Sequence, residues 1–199
     1  MPSIGWLQKG ASLKPRPLPH VDPLARPSLL RRILVALAGC RPMRALSRTA
    51  VWRNTTWRLG PLLLRLTGGR LHSGLGLPTA LLETRGARTG LPRRNEIIYF
   101  HDGDDVIVIA SQAGYPGNPS WYYNVLANPK VRFGGQEFLA VAVEDDASRR
   151  RLWALADRVF PAFVEYRTSA AGHGRKIPII RLRAANVETH CDRASGQHI

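Results

Sequence analysis

The chain has 199 residues, 44% of them hydrophobic, which suits one compact domain with an appendage and excludes wholesale disorder. Its formal charge of +15 is uneven, because residues 1–80 carry 13 basic side chains and one acidic one, whereas residues 81–199 carry 16 and 13. Two cysteines without a CxxC pair exclude a disulfide scaffold, and scattered histidines predict no metal site. No apolar run approaches the roughly 20 residues that span a bilayer.

The first 67 residues divide into two segments of different composition. Six prolines in residues 1–28 predict a disordered tail. Residues 29–67 alternate apolar and aromatic groups with arginines at helical spacing, which predicts a basic amphipathic helical extension. Such helices suit equally well packing on the domain or contact with an anionic membrane surface through residues 29–66. We therefore expect a cytoplasmic protein that is either free or peripheral on the inner face of the cell membrane.

Residues 68–185 are predicted to form a small β-domain that binds a cofactor, and residues 186–199 are predicted to form a C-terminal tail. Two hairpin turns are predicted at Asp102-Gly103 and Gly134-Gly135. Helices are predicted from Pro119 to Asn128 and from about Asp145 onward. The predicted strands cover residues 79–83, 95–100, 106–110, 130–133, 137–143 and 177–182. This order predicts a mostly β fold with helices (α+β), in which six largely antiparallel strands form a barrel.

The most informative stretch is residues 84–95, predicted to be a loop between the first two strands. Glycines let backbone N–H groups turn inward, and arginines supply planar donors for phosphate or carboxylate. The glycines are Gly86 and Gly90, and the arginines are Arg85, Arg88, Arg93 and Arg94. The usual nucleophile, P-loop and metalloprotease motifs are absent, so any catalysis is expected to rely on a bound cofactor.

Four stretches, in this order, resemble the deazaflavin (coenzyme F420)-dependent nitroreductase family of split β-barrel oxidoreductases. They are Thr84-Arg85-Gly86-Ala87-Arg88-Thr89-Gly90-x-Pro92-Arg93, Ile109-Ala110-Ser111, the stretch from Pro119 to Val131, and Ile177-Pro178-Ile179-Ile180. The resemblance covers about residues 68–183. It implies a split β-barrel of the FMN-binding type that holds coenzyme F420, an 8-hydroxy-5-deazaflavin with a phosphate and an oligoglutamyl tail.

The resemblance also implies three groups of cofactor-binding residues. The phosphate would be held by Ala87, Arg88, Thr89, Gly90, Leu91, Pro92 and Arg93. The deazaflavin ring would be lined by Ile109, Ala110, Ser111 and Gln112. The site would be closed from the start of the following helix by Ser120, Trp121, Tyr122 and Asn124.

The family's substrate side corresponds to three aromatic residues, Phe160, Phe163 and Tyr166. Some members have tyrosine at all three positions, so this chain has fewer hydroxyls there, which favours a flat, apolar acceptor. The implied reaction is hydride transfer from C5 of reduced deazaflavin to a quinone, enone or nitro compound. Ser111 and Tyr166 are the implied catalytic residues, which would polarise or protonate the acceptor.

Three other functions remain open at the level of sequence. An FMN-binding split-barrel oxidoreductase would also need a phosphate-binding loop, but not a long basic track. A non-catalytic module that binds deazaflavin or attaches to a membrane would show the same motifs. Nucleic-acid binding ranks last, since residues 81–199, which contain most of the predicted barrel, have a net charge of only +3. The oligomeric state is not predicted.

Overall fold

The computed structural model describes residues 18–25 and 77–185. Six antiparallel strands close into a barrel in the order β1-β2-β3-β6-β5-β4. The strands are β1 (Thr79–Arg85), β2 (Pro92–Asp102), β3 (Asp105–Ile109), β4 (Lys130–Phe133), β5 (Gln136–Ala142) and β6 (Ile179–Ala184). The predicted mostly β fold, a six-stranded barrel with helices, is confirmed.

Three helices and one short 3-10 turn interrupt the strands within the described ranges. They are α1 (Ser120–Ala127), α2 (Asp146–Val159), α3 (Phe163–Gly172) and the turn Gln112–Gly114. The Asp145 side chain caps α2 by accepting from the Ser148 N–H at 2.7 Å, as its position before the helix predicts. Pro119 precedes α1 as its N-cap, not as its first helical residue. The sequence did not predict α3.

Strand β3 is buried on both faces. Val106, Val108 and Ala110 pack in the cluster of side chains that all six strands contribute to the barrel interior. Ile107 and Ile109 point the other way, into a second cluster built with residues of α2 and α3. The helices thus cover the outside of the barrel here, which explains why the strand reads as an uninterrupted apolar run.

Both predicted hairpin turns are two residues long. Gly103 has a φ of +63°, and Gly134 and Gly135 have φ values of +57° and +87°. The second turn therefore has the left-handed backbone at both central positions that matches the twist of paired strands. A Cβ on Gly134 would overlap the side chain of Leu18, so a larger residue there would displace the N-terminal segment.

The loop between β1 and β2 is shorter than predicted. Residues 84–95 are not all loop, because β1 continues to Arg85 and pairs it with Pro92, the first residue of β2. Only residues 86–91 form the connection. Within the strands, Arg94 lies opposite Glu83 and forms an ion pair with it at 3.2 Å, so its charge is partly compensated.

The part of the proline-rich tail that the structure describes, residues 18–25, lies against the barrel, whereas its composition predicts disorder. The Val21 N–H donates to Nδ1 of His101 at 2.9 Å, and the His101 N–H donates to the Val21 carbonyl at 2.9 Å. The Tyr99 hydroxyl donates to the Pro19 carbonyl at 2.9 Å. Burial raises the pKa of Tyr99 to about 12, so this hydroxyl remains a donor.

The attachment of this segment should weaken in acid. Burial lowers the pKa of His101 below its usual 6.5, and the charge of His20, whose ring centroid lies 4.3 Å away, lowers it further. Because the pKa of His101 is lower in the folded protein, the contribution of the neutral imidazole to stability is complete above about pH 6.5. It is lost as the pH falls from there toward the pKa of the folded state. A proton on Nδ1 also removes the acceptor for the Val21 N–H.

We expect the hydrogen-exchange protection of the Val21 amide to fall about fivefold between pH 7.5 and pH 5, equivalent to one hydrogen bond of about 1 kcal/mol. The matched control is His101→Asn, whose Oδ1 takes the place of Nδ1, can accept the same bond and does not titrate. Equal pH dependence of protection in both proteins would show that His101 is not the group responsible.

Among the described residues, no helix is long and apolar enough to cross a membrane. The predicted helical extension at 29–67, residues 1–17 of the tail and the C-terminal tail at 186–199 lie outside the described residues. The predicted domain boundaries, the peripheral membrane contact and the cytoplasmic location therefore stay predictions.

Candidate functional site

The connection between β1 and β2 is a tight turn closed by its own backbone. The Gly86 N–H donates to the Leu91 carbonyl at 2.8 Å, and the Gly90 N–H donates to the Gly86 carbonyl at 2.8 Å. A Cβ on Gly86 would lie only 2.8 Å from Oγ1 of Thr89, and Gly90 has a φ of +67°. The turn therefore requires glycine at both positions, and its compactness leaves backbone N–H groups at the surface.

Three arginines surround this turn. The Arg85 guanidinium lies 3.6 Å from the place that a Cβ on Gly90 would take, and Nε of Arg93 lies 3.7 Å from the corresponding place on Gly86. Arg88 is exposed within the turn itself. None of the three forms an ion pair with a carboxylate in residues 18–25 or 77–185. Their charges therefore remain available to an anion.

Helix α1 anchors the turn through Asn124. Its Oδ1 accepts the Ala87 N–H at 2.9 Å, and its Nδ2 donates to Oγ1 of Thr84 at 3.2 Å. Asn124 and Thr84 are buried, with 8% and 0% of their surface exposed. Since Asn124 already takes the Ala87 N–H, the backbone donors left for a phosphate in the turn are those of Arg88 and Thr89. In this structure Ala87 and Asn124 position the turn.

The segment that follows β3 has an unusual backbone. Gln112 and Ala113 have φ values of +46° and +51°, which is rare for residues other than glycine, and Gly114 follows at +77°. The amide oxygen of Gln112 is buried and has no hydrogen-bond partner among the residues that the structure describes. Strained backbone and an unsatisfied buried acceptor together indicate a place where a ligand donor completes the structure.

Arg175, which the sequence analysis did not select, holds this segment in place. Its Nη1 donates to the carbonyls of Ser111 at 3.0 Å and Tyr115 at 2.7 Å, and its Nη2 donates to the Ala110 carbonyl. Its Nε donates to Oδ1 of Asn118 at 2.8 Å. Desolvation lowers the pKa of Arg175. No local pattern distinguishes this arginine from the others, because its partners lie some 60 residues away.

The three predicted substrate aromatics form one cluster. The ring centroid of Phe160 lies 5.2 Å from that of Phe163 and 5.9 Å from that of Tyr166, in edge-on geometry. Phe163 is only 2% exposed and packs in the core, whereas Phe160 and Tyr166 are half-buried. A Cβ on Gly114 would lie 2.8 Å from the Tyr166 carbonyl oxygen, so this cluster adjoins the strained segment.

The predicted site residues differ in exposure. Trp121 is 4% exposed and packs in the same core cluster as Ala110, so it supports the site from inside. Ile109 is likewise a core residue. The half-buried members are Gly90, Ser111, Gln112 and Tyr122. The exposed members are Ala87, Arg88, Thr89, Leu91, Pro92, Arg93 and Ser120.

These residues fit a phosphate-bearing ring cofactor. The turn has no free room for a Cβ at Gly86, and the three arginines beside it pair with no carboxylate in the part of the chain that the structure describes, so an anionic phosphate is favoured there. The unsatisfied oxygen of Gln112 suits a donor on a polar ring. No cluster of metal-ligating side chains occurs in residues 18–25 and 77–185. The fold and the site thus fit a barrel protein that binds an anionic organic cofactor.

Comparison with known proteins identifies the family. The family model described as F420H(2)-dependent quinone reductase matches residues 56–183, and the chain belongs to this family. F420H(2)-dependent quinone reductases from Mycobacterium tuberculosis strains H37Rv and CDC 1551 are each 33% identical over 133 residues, covering 63% of this chain and 87% of the relative. A solved F420-H2 dependent reductase, FDR-A, is 32% identical over 53% of this chain and 94% of its own, with a TM-score of 0.47.

The family establishes the enzyme class and the cofactor. The chain is an oxidoreductase, and its cofactor is coenzyme F420, as the resemblance implied. The predicted resemblance to F420-dependent split β-barrel oxidoreductases is confirmed, and the family description specifies quinones as acceptors where the prediction also named nitro compounds. The predicted roles of individual residues stay proposals.

Proposed function

We propose that this chain oxidises F420H2 and reduces a quinone-type acceptor. When bound, the reduced cofactor supplies a hydride from C5 of its deazaflavin ring. The observation that carries the proposal is the glycine turn at residues 86–91, whose three neighbouring arginines form no ion pair with a carboxylate among the described residues, in a chain of this family. Enones and nitro compounds are further acceptors that share the flat conjugated shape of a quinone.

The phosphate of the cofactor would be held by the backbone N–H groups of Arg88 and Thr89 and by nearby guanidinium groups. The Arg88 and Arg93 side chains are exposed and form no ion pair within residues 18–25 and 77–185 that an anion would have to break. Asn124 would keep the turn in its binding conformation through the Ala87 N–H. Ile109 and Ala110 would contribute backbone groups next to Ser111 and Gln112, which line the ring, while their side chains pack in the two core clusters.

The acceptor would lie beside the half-buried rings of Phe160 and Tyr166, with Phe163 supporting them from the core. Flat apolar walls favour a stacked aromatic or quinonoid ring and exclude water from it. The hydroxyls of Ser111 and Tyr166 are the proposed groups that polarise the acceptor oxygen or deliver its proton. Ser111 is well placed for this because Arg175 fixes its backbone.

The test is a fluorescence titration of the full chain with F420, followed by the rate of F420H2 oxidation with a simple naphthoquinone. We expect saturable binding and quinone-dependent oxidation, with Tyr166→Phe lowering the rate and leaving F420 affinity unchanged. Binding of FMN without binding of F420 would contradict the proposal. Binding of F420 without oxidation by quinone, enone or nitro acceptors would favour a non-catalytic binding module.

Arg88→Ala should weaken F420 binding about fivefold at low ionic strength and much less in 1 M salt, because salt screens an exposed charge. The matched control is Arg183→Ala, an exposed arginine on β6 outside the proposed site. We expect its F420 dissociation constant to equal that of the wild type at both salt concentrations. An equal effect of the two variants would mean that overall charge, not the turn, attracts the cofactor.

A further inference from the structure

A cavity of about 480 Å³ lies between α2, α3 and the segment that leads into β6. Its charged lining consists of one acid and five bases: Asp146, Arg149, Arg150, Arg167, Arg175 and Lys176. None of these residues belongs to the turn at 86–91 or to the predicted cofactor and substrate residues. Apart from Arg175, which also holds the segment after β3, the cavity shares no lining residue with the proposed cofactor and substrate sites.

Two guanidiniums in its wall are held rigidly and have no carboxylate partner in the described part of the chain. Arg149 is 8% exposed and donates to the carbonyls of Val143 at 3.1 Å and Ile177 at 2.8 Å. These bonds use two of its five N–H donors. Arg175 donates only to carbonyl groups and to Asn118. Backbone carbonyls orient both side chains and leave their charges uncompensated.

The other three bases differ in how far they are neutralised. Arg167 forms a two-pronged pair with Asp157 at 2.7 Å and lies 4.3 Å over the ring of Trp153. Lys176 pairs with Asp146 at 3.2 Å, but both side chains are 71% exposed, so this pair is weak. Arg150 is exposed on α2. The lining thus keeps a net positive charge after the pairs with Asp157 and Asp146 are counted.

We infer that this cavity binds a multivalent oxyanion, a small molecule that carries a phosphate group or several carboxylates. Concave low-dielectric walls of one charge sign concentrate the electrostatic potential. The guanidiniums of Arg149 and Arg175 are already oriented by carbonyl groups, so binding costs little of their side-chain entropy. The volume lies within the range of about 300–1,000 Å³ typical of small-molecule sites.

The test follows the indole N–H resonance of Trp153 in the full-length protein during separate titrations with pyrophosphate and citrate at low ionic strength. A Trp153→Phe variant assigns the resonance. We expect a saturable shift with at least one anion; the stronger ligand identifies phosphate or carboxylate as the preferred group. Either preference supports the site, because the two share the oxyanion chemistry.

Arg150→Ala combined with Lys176→Ala should weaken this binding about tenfold, since two exposed charges contribute roughly 0.7 kcal/mol each. The matched control, Arg158→Ala with Arg183→Ala, removes the same charge from exposed positions outside the cavity and should change the dissociation constant less than about twofold. Equal weakening by both pairs, or no saturable Trp153 shift, would overturn the inference. Because neither anion is F420, failure here leaves the F420 titration and the proposed reaction unaffected.

Discussion

Arg175→Met should destabilise the protein by about 3 kcal/mol and release the segment between β3 and α1. The substitution leaves the carbonyls of Ala110 and Tyr115 and the amide oxygen of Asn118 without their Arg175 donor, whereas the Ser111 carbonyl keeps the Gly114 N–H. A buried acceptor without a partner costs about 1–3 kcal/mol, and access of water to this half-buried region reduces the sum. Urea unfolding measures the loss of stability, and amide exchange across residues 111–117 measures the release.

Two variants distinguish these hydrogen bonds from charge alone. Arg175→Lys keeps the charge, but a single ammonium cannot reach acceptors arranged around a planar fork, so we expect it to recover less than half of the lost stability. Arg183→Met, on the exposed end of β6, should change stability by no more than about 0.5 kcal/mol. Full recovery by lysine would show that the positive charge, and not the fork, holds the segment.

The same variant also separates positioning from folding. In the absence of urea, at a temperature where Arg175→Met remains folded, we expect this variant to bind F420 more weakly, because Ser111 and Gln112 are no longer fixed. Near-UV circular dichroism confirms that the barrel is intact. Unchanged F420 affinity in a folded protein with a released segment would remove that segment from the cofactor site.

Local chemistry explains which elements the sequence predicted. The apolar run at 106–110 identified β3 because both of its faces are covered, one by the barrel interior and one by α2 and α3. The Gly134-Gly135 pair identified a hairpin because only glycine adopts left-handed backbone at both positions at low cost. Asp145 identified the start of α2 because its side chain satisfies an N–H of the first helical turn.

The features that the sequence missed depend on contacts between distant residues. Helix α3 has little amphipathic periodicity, since it packs through isolated residues such as Phe163 and Ala170. The contact between Val21 and His101 joins positions 80 residues apart. Arg175 lacks any nearby signal because its acceptors belong to another loop. The exact extent of the turn at 86–91 likewise follows from strand pairing, which includes Arg85 in β1 and Arg93 and Arg94 in β2.

The candidate site was predicted by family resemblance more than by spacing. The resemblance selected both Asn124 and the glycine turn, but it did not show that one holds the other. It placed Ala87 on the phosphate, whereas the structure joins the Ala87 N–H to Asn124 at 2.9 Å. This contact could not be predicted from the sequence, because it depends on how α1 packs against β1. The same packing buries the Thr84 hydroxyl against the Asn124 side chain.

Asn124→Leu should therefore weaken F420 binding about tenfold and cost about 2 kcal/mol of stability, because the Ala87 N–H and the Thr84 hydroxyl both lose their partner. Thr84→Val is the matched control: it removes only the hydroxyl and keeps the bond that fixes the turn, so stability should fall by about 1 kcal/mol with F420 affinity within about twofold of wild type. Fluorescence titration and urea unfolding measure the two quantities. If Thr84→Val lowers affinity as much as Asn124→Leu, core packing governs binding and the Ala87 bond has no special part. If affinity falls only in Asn124→Leu, α1 controls the cofactor turn through one buried amide.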